Sequence, residues 1–343
     1  MYIERQELAN PERQALQSFV EGRDLLRQYR GSQRGDDLEQ AKASFADAQQ
    51  HDPSFALATF YLAVVESELR DSDSAIDRLE DLAKRKVDFL PETYLHLAYA
   101  HTKKYQNKHY DAAEKALNEA QKQATIMRRR EMVPIIEAYR TFLFSVMGGR
   151  LKDERECERG KYTNDAIKLG NQLLRDRSVL RLPERDRAQV LFEVHNALGI
   201  SYMRRGQQET EFSDQQRQAW ELAEHHYDEA LKLRTNATRV LQNIGTLRRA
   251  EGDQFARKGA MDEARPRYQE AFKHYRRSLD LNPRDQFPHY RLAEMAAKLG
   301  DWETADHFYD SGRREKGAVE KEKWERLRQA IDSQDASGLL AYD

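Results

Sequence analysis

Ten histidines, one cysteine and a cluster of glutamates are the side chains of this chain that could supply nucleophiles, bases or metal ligands. Cys157 lies between Glu156 and Glu158 in a densely charged stretch, with no histidine near it in sequence. A thiolate nucleophile needs a cationic neighbour or a partner base to lower its pKa, so Cys157 reads as an ordinary thiol in a charged loop. Glu154, Glu156 and Glu158 read as the solvated part of that loop rather than as a pair of catalytic carboxylates. His225 and His226 are adjacent, so on a helix they point to different sides and do not readily share one metal ion. The remaining histidines are scattered and read as surface or seam residues. No Walker-type phosphate loop, Gly-x-Ser-x-Gly elbow or His-Glu-x-x-His pair occurs. The expectation is a chain with no catalytic residue, no metal and no cofactor, and hence not an enzyme.

Charge points the same way. The 57 basic and 59 acidic residues of the 343 leave a formal charge of −2, which gives no global pull towards nucleic acid or anionic membrane. The densest basic run, Arg128-Arg129-Arg130 with Lys122 upstream, is diluted by Glu131 and reads as a solvated helix end. Tyr139, Phe142 and Phe144 nearby have helical spacing and read as core. No stretch approaches the roughly 20 apolar residues that span a bilayer. Met1–Asn10 lacks the basic-then-apolar layout of a signal peptide. A lone cysteine cannot form an intrachain disulfide, and the expected setting is the cytoplasm, with no membrane partner.

The residues that chemistry does not claim must be positioned by something, and composition says what. Hydrophobic residues make up 39% and charged residues 34%, with only 16 Gly and 8 Pro. That balance suits an elongated, mostly helical object with much surface per residue. Ala41, Phe45, Ala48 and Pro53 fall at offsets of 0, 4, 7 and 12, and Ala271, Tyr275, Ser278 and Pro283 repeat those offsets. Ala75-Leu79-Leu82, Ala113-Leu117-Ala120, Ala223-Tyr227-Ala230 and Ala305-Tyr309-Gly312 match the first three. A second pattern precedes them, a large apolar residue followed by a small one: Leu62-Ala63, Leu97-Ala98, Leu198-Gly199, Ile244-Gly245 and Leu292-Ala293. Offsets of 3, 4 and 7 share one helix face. The small residue admits a partner helix, and the aromatic residue four after the Ala fills the space beside it. Such a pair of helices buries its seam only by stacking on a neighbour, so the unit has to repeat.

These residues resemble the tetratricopeptide repeat family, whose first helix carries the large-small pattern and whose second carries Ala, aromatic, Ala, then Pro. The period agrees, with 34 residues from Ala41 to Ala75 and 34 from Ala271 to Ala305. The resemblance implies an all-α, right-handed superhelical solenoid of about seven antiparallel hairpins. Residues 1–124 then form hairpins one to three, 125–187 a divergent fourth, 188–317 hairpins five to seven with insertions, and 318–343 a capping helix and tail. Within the fourth, Glu131–Met147 reads as a helix broken at Gly148-Gly149, followed by a charged loop to about Gly160 and a helix over Tyr162–Arg177. The insertions Gln207–Asp214 and Asp253–Met261 are rich in Gln, Glu, Arg and Ala and are expected to lengthen helices. Ala318–Asp332, carrying Trp324, Leu327 and Ile331, is the expected cap.

The same resemblance points to where a partner would be held. In that family the first helices of the hairpins line a concave wall, and fixed positions around the small residue face it. In the last three hairpins these select Glu193, Asn196, Ile200 and Met203; then Arg239, Gln242, Asn243, Thr246 and Arg249; then Phe287, Tyr290, Arg291, Glu294 and Ala297. Arg239, Asn243, Arg249, Phe287, Tyr290 and Arg291 form the expected partner-binding set. Arginine offers a planar fork of donors to a carboxylate, and Asn holds a peptide backbone through both amide groups. The wall partly resembles the family's carboxylate clamp for acidic chaperone tails: Asn243 and Arg291 stand at matching positions. Asn196, Ile200 and Phe287 replace its other three residues. The expected function is a noncovalent scaffold or adaptor that holds a protein or peptide in the concave groove, a segment with acidic residues among the candidates. The alternatives are self-association, a peptide-sensing regulator, and an accessory subunit of a multi-protein protease or nuclease.

Overall fold

The computed structural model describes residues 12–340, apart from Lys86, Lys316, Ala318 and the side chain of Asp153. The signal-peptide reading of Met1–Asn10 and the last part of the expected tail therefore lie outside the described residues. Among the described residues there are 16 α-helices and no strand. They run α1 (Arg13–Ser32), α2 (Gly35–His51), α3 (Ala56–Glu68), α4 (Ser72–Lys84), α5 (Leu90–Thr102), α6 (Asn107–Ile126), α7 (Met132–Arg150) and α8 (Arg159–Arg175). A short α9 (Arg177–Leu180) precedes α10 (Glu184–Gln208), α11 (Asp214–Leu233), α12 (Thr238–Arg257), α13 (Met261–Leu281), α14 (Gln286–Leu299), α15 (Trp302–Arg314) and α16 (Lys321–Ser333).

Seven consecutive pairs pack as hairpins: α1/α2, α3/α4, α5/α6, α7/α8, α10/α11, α12/α13 and α14/α15. Packing divides the chain into two units, one holding the hairpins up to α11 and the other α12 to α16. Every seam residue that the repeat picks out is buried: Ala41, Ala75, Ala113, Gly199, Ala223, Gly245 and Ala293. The aromatic residues four places on fill the space so created. Phe45 lies on Gly22 and stacks on Tyr61 of the next hairpin, and Tyr227 lies on Gly199. Burying a ring of that size stabilises by about 1.5–3 kcal/mol, which is why one hairpin alone would not hold.

The divergent middle departs from its expected form in one place. Helix α7 runs straight through Gly148-Gly149 to Arg150. The glycines serve close approach rather than a break. A Cβ on Gly148 would lie 3.0 Å from the backbone nitrogen of Thr163 in α8, and Gly149 lies against Arg204 of α10. The charged segment that follows is a 3-10 turn over Asp153–Glu158, and α8 begins at Arg159. Helix α7 packs on both α8 and α10, so the stack is continuous through this hairpin.

The expected insertions are helical only in part: Gln207 and Gln208 end α10, residues 253–257 end α12, and residues 209–213 and 258–260 connect the helices. The helices around them, α10 to α13, have 25, 20, 20 and 21 residues, against 13 in each of α3, α4 and α5. Helix α14 starts and stops by local chemistry: Asp285 Oδ1 accepts from the Phe287 backbone N–H, and Gly300 ends the helix in the left-handed region at φ 81°. Asp301 then caps α15 through the Thr304 N–H. Helix α16 packs on α14 and α15 of the last hairpin. Its Trp324 is buried over Gly312 and meets Tyr290 and Tyr309 edge-on.

Candidate functional site

All six expected partner-binding residues belong to the second unit, Arg239, Asn243 and Arg249 on α12 and Phe287, Tyr290 and Arg291 on α14. Helical spacing sets their order: on α12 the three lie four and six residues apart, and on α14 they lie three and one residues apart in the first two turns. The structure separates them by exposure. Arg239, Asn243 and Phe287 are half-buried. Arg249 (4% exposed), Tyr290 (7%) and Arg291 (8%) are buried.

The buried arginines sit in a dense ionic cluster. Arg249 Nη1 donates to Asp253 Oδ2 at 2.8 Å and lies 3.7 Å from Glu294 Oε1. Arg291 Nη1 donates to Glu294 Oε2 at 2.7 Å. Lys298 Nζ bridges Asp253 Oδ1 at 2.7 Å and Glu294 Oε1 at 3.0 Å, and Tyr268 donates its hydroxyl to Asp253 at 2.7 Å. Burial opposes ionisation of Glu294, but Lys298, Arg291 and Arg249 together outweigh it and hold the carboxyl well below the ordinary carboxylate range. Desolvation, then the charge of Asp253 and the hydrogen bond to it, push the Tyr268 phenol far upward, so it stays a donor at any working pH.

Around this cluster the smaller polar groups are also committed. Gln242 donates from Nε2 to Ser278 Oγ and to Asp285 Oδ2, both at 2.9 Å, which ties α12 to the start of α14. Thr246 Oγ1 lies 3.1 Å from the Tyr275 hydroxyl. The Arg291 guanidinium stands 5.3 Å from the ring centres of both Phe287 and Tyr290. These contacts fix Arg291 in one place and leave Phe287 as the aromatic edge of the face.

Sequence reasoning placed Arg249, Arg291 and Glu294 on this wall but missed Asp253 and Lys298, which hold them. The signal was present as charge spacing: Arg249 and Asp253 are four apart, as are Glu294 and Lys298, and Arg291 and Glu294 are three apart. Opposite charges at those intervals share a helix face.

Elsewhere, Cys157 is an exposed free thiol. Arg129 of the basic run is committed to Glu92 at 2.6 Å and Glu131 at 3.1 Å. No group of three or more His, Cys, Asp or Glu close enough to hold a metal ion occurs among the described residues. Among those residues, no helix is long and apolar enough to cross a membrane.

Comparison with known proteins adds three findings. No family model and no curated protein matches the chain. Among solved structures, the human IFIT1 dimer with PPP-AAAA aligns at a TM-score of 0.49 and 14% identity, covering 91% of this chain and 77% of that one. The assembly chaperone of RpL4 (Acl4, residues 1–338) aligns at 0.31 and 16%, covering 95% and 96%. The TPR2AB-domain:pHSP90 complex of yeast Sti1 aligns at 0.29 and 13%, covering 95% and 98%. The fold, taken from the chain's own hairpins and seam residues, is tetratricopeptide-like.

Proposed function

We propose that the chain is a non-catalytic scaffold that holds a protein or peptide partner on the face formed by α12 and α14. The observation that carries this reading is the stripe of charged and amide side chains on those two helices, away from the glycine and alanine seams. The seams that seat the hairpins use neither Arg239 nor Asn243, and the buried cluster of Arg249, Arg291, Glu294 and Lys298 beside them is a costly way to fill space.

The stripe has two parts with different work. Arg239, Asn243 and Phe287 are the groups a partner touches: a guanidinium for a carboxylate, an amide for a peptide backbone, and an aromatic edge for an apolar side chain. Arg249, Tyr290 and Arg291, buried and tied to Glu294, Asp253 and Trp324, hold the two helices in the spacing that presents those groups. The chemistry fits an extended segment with an acidic residue. A cytoplasmic setting suits a chain whose one thiol is exposed and unpaired by any disulfide.

The test is affinity purification of the tagged full chain from cells, beside a variant carrying Arg239→Ala, Asn243→Ala and Phe287→Ala, with folding checked by circular dichroism. A protein partner that copurifies with the native chain and is lost from the folded variant is expected. Equal recovery on both would remove the contact from this face, and recovery of nucleic acid alone would overturn the protein-scaffold reading.

A further inference from the structure

The start of α7 and the end of α8 come together at one end of their hairpin, within the first unit, and two turns meet there. In the turn from α6 to α7, Arg128 takes the left-handed region at φ 56° and the Arg129 N–H returns to the Ala124 carbonyl at 2.8 Å. Arg129 is spent on Glu92 and Glu131, while Arg128 and Arg130 on either side of it are exposed. In the turn from α8 to α10, Val179 and Leu182 hold α9 down in a cluster with Ala138 and Leu173, against which Ile135 of α7 packs. Arg177 and Arg181 stand exposed beside those anchors.

Two aliphatic side chains project with these arginines. Ile126 is 64% exposed and Leu180 is 65% exposed, the highest values among the large apolar residues described. Neither anchors its turn, since Val179 and Leu182 do so for α9, and Ala124 and Met132 are the buried residues of the other. Exposed aliphatic groups beside unpaired charge mark a surface that something else covers. The guanidinium groups of Arg128, Arg130, Arg177 and Arg181 make no ion pair with a described residue. Nearby carboxylates are engaged elsewhere: Glu131 by Arg129, and Asp176 by the Ser178 N–H at 2.7 Å. Glu184 and Asp186, in the first turn of α10, are the acids left to oppose them.

We propose that this end of the first unit docks on an anionic bilayer surface. Arg128, Arg130, Arg177 and Arg181 meet lipid phosphates and carboxylates, and Ile126 and Leu180 enter the headgroup boundary. Arginine matches such oxygens with a two-pronged fork, and each positive charge within a Debye length of a negative leaflet adds to the attraction. Aliphatic groups at the tips of turns suit a deformable surface, whereas a folded partner would need a cavity for each. Nucleic acid fits less well. The exposed aromatic rings described, Tyr105 and Phe212, lie in the turns before α6 and after α10, at the far ends of those helices. No stacking platform for bases therefore accompanies the arginines. The expectation of no membrane partner rested on the formal charge of −2, which averages this end with the rest of the chain.

Cosedimentation of the full chain with vesicles tests the surface, using phosphatidylcholine alone and phosphatidylcholine mixed with phosphatidylserine. Binding to the anionic vesicles alone is expected, and it should weaken as salt rises. Arg177→Glu together with Arg181→Glu is expected to weaken it by about tenfold or more. Lys108→Glu, in the first turn of α6 and about 30 Å along that helix from Ile126, should leave it unchanged. Where a charge reversal fails to fold, an environment-sensitive fluorophore on Leu180→Cys, in a Cys157→Ser background, reads insertion directly. A blue shift with anionic vesicles alone is expected. The proposal is overturned by equal binding to neutral vesicles, or by no binding to anionic ones, whether or not polyuridylate is bound instead. Undiminished binding by the folded double variant, loss of binding in Lys108→Glu, or an unshifted fluorophore would overturn it equally.

Discussion

Gly245 of α12 lies against the ring of Tyr275 in α13 so closely that a Cβ on it would sit 2.7 Å from Cε1. Tyr275 is fully buried and meets Phe287 edge-on, so the ring has nowhere to move. Two terms oppose each other in Gly245→Ala. The helix gains up to about 1 kcal/mol in propensity, while overpacking a tight core costs about 1–3 kcal/mol. Overpacking wins, and the variant is expected to be less stable in urea denaturation. Gly160, half-buried in the first turn of α8 with nothing within 4 Å of an added Cβ, provides the contrast. Gly160→Ala is expected to be neutral or slightly stabilising.

The ionic cluster predicts a second asymmetry. Glu294→Gln keeps the shape but leaves Arg249, Arg291 and Lys298 facing each other with only the Asp253 carboxylate among them. Breaking a buried pair by removing one partner costs about 3–5 kcal/mol, and a loss of that order is expected in denaturant midpoint at pH 7.

Acid should expose the same group. Although burial opposes it, Lys298, Arg291 and Arg249 hold the Glu294 pKa below its ordinary value of 4.5, so its stabilisation is complete above that value. It is lost as pH falls below 4.5 towards the depressed folded value. The native chain is expected to lose stability steeply in that range and Glu294→Gln to lose it less steeply. Parallel slopes for the two proteins would contradict the assignment.

Histidines act at higher pH. His96 packs between the rings of Phe60 and Tyr139, and desolvation lowers its pKa from 6.5 to about 4, with Arg30 adding to the effect. A neutral folded imidazole is disfavoured once the unfolded chain can protonate it. Its contribution is therefore whole above pH 6.5 and declines from there down to about 4. His96→Phe is expected to flatten the fall in melting temperature between pH 6.5 and 4.5, read by circular dichroism.

How much of this was legible in the sequence follows from which forces are local. The seams were, because Ala41, Ala75, Ala223 and Gly245 each need a small side chain at a fixed helical offset from an aromatic or leucine. The helical run through Gly148-Gly149 was not, because its cause is the approach of Thr163 and Arg204 from other helices. The wall positions of Arg249 and Arg291 could be counted from the small residue of each repeat. Their burial could not, since it depends on Asp253 and Lys298 closing over them from another turn and another hairpin.

The central claim is that α12 and α14 carry the partner contact while the rest of the array supports it. Hydrogen–deuterium exchange of the full chain with and without a copurified protein partner measures this directly. The account predicts added protection concentrated in Thr238–Arg257 and Gln286–Leu299, with the hairpins before α10 unchanged. Protection confined to those earlier hairpins, with α12 and α14 unaltered, would contradict it.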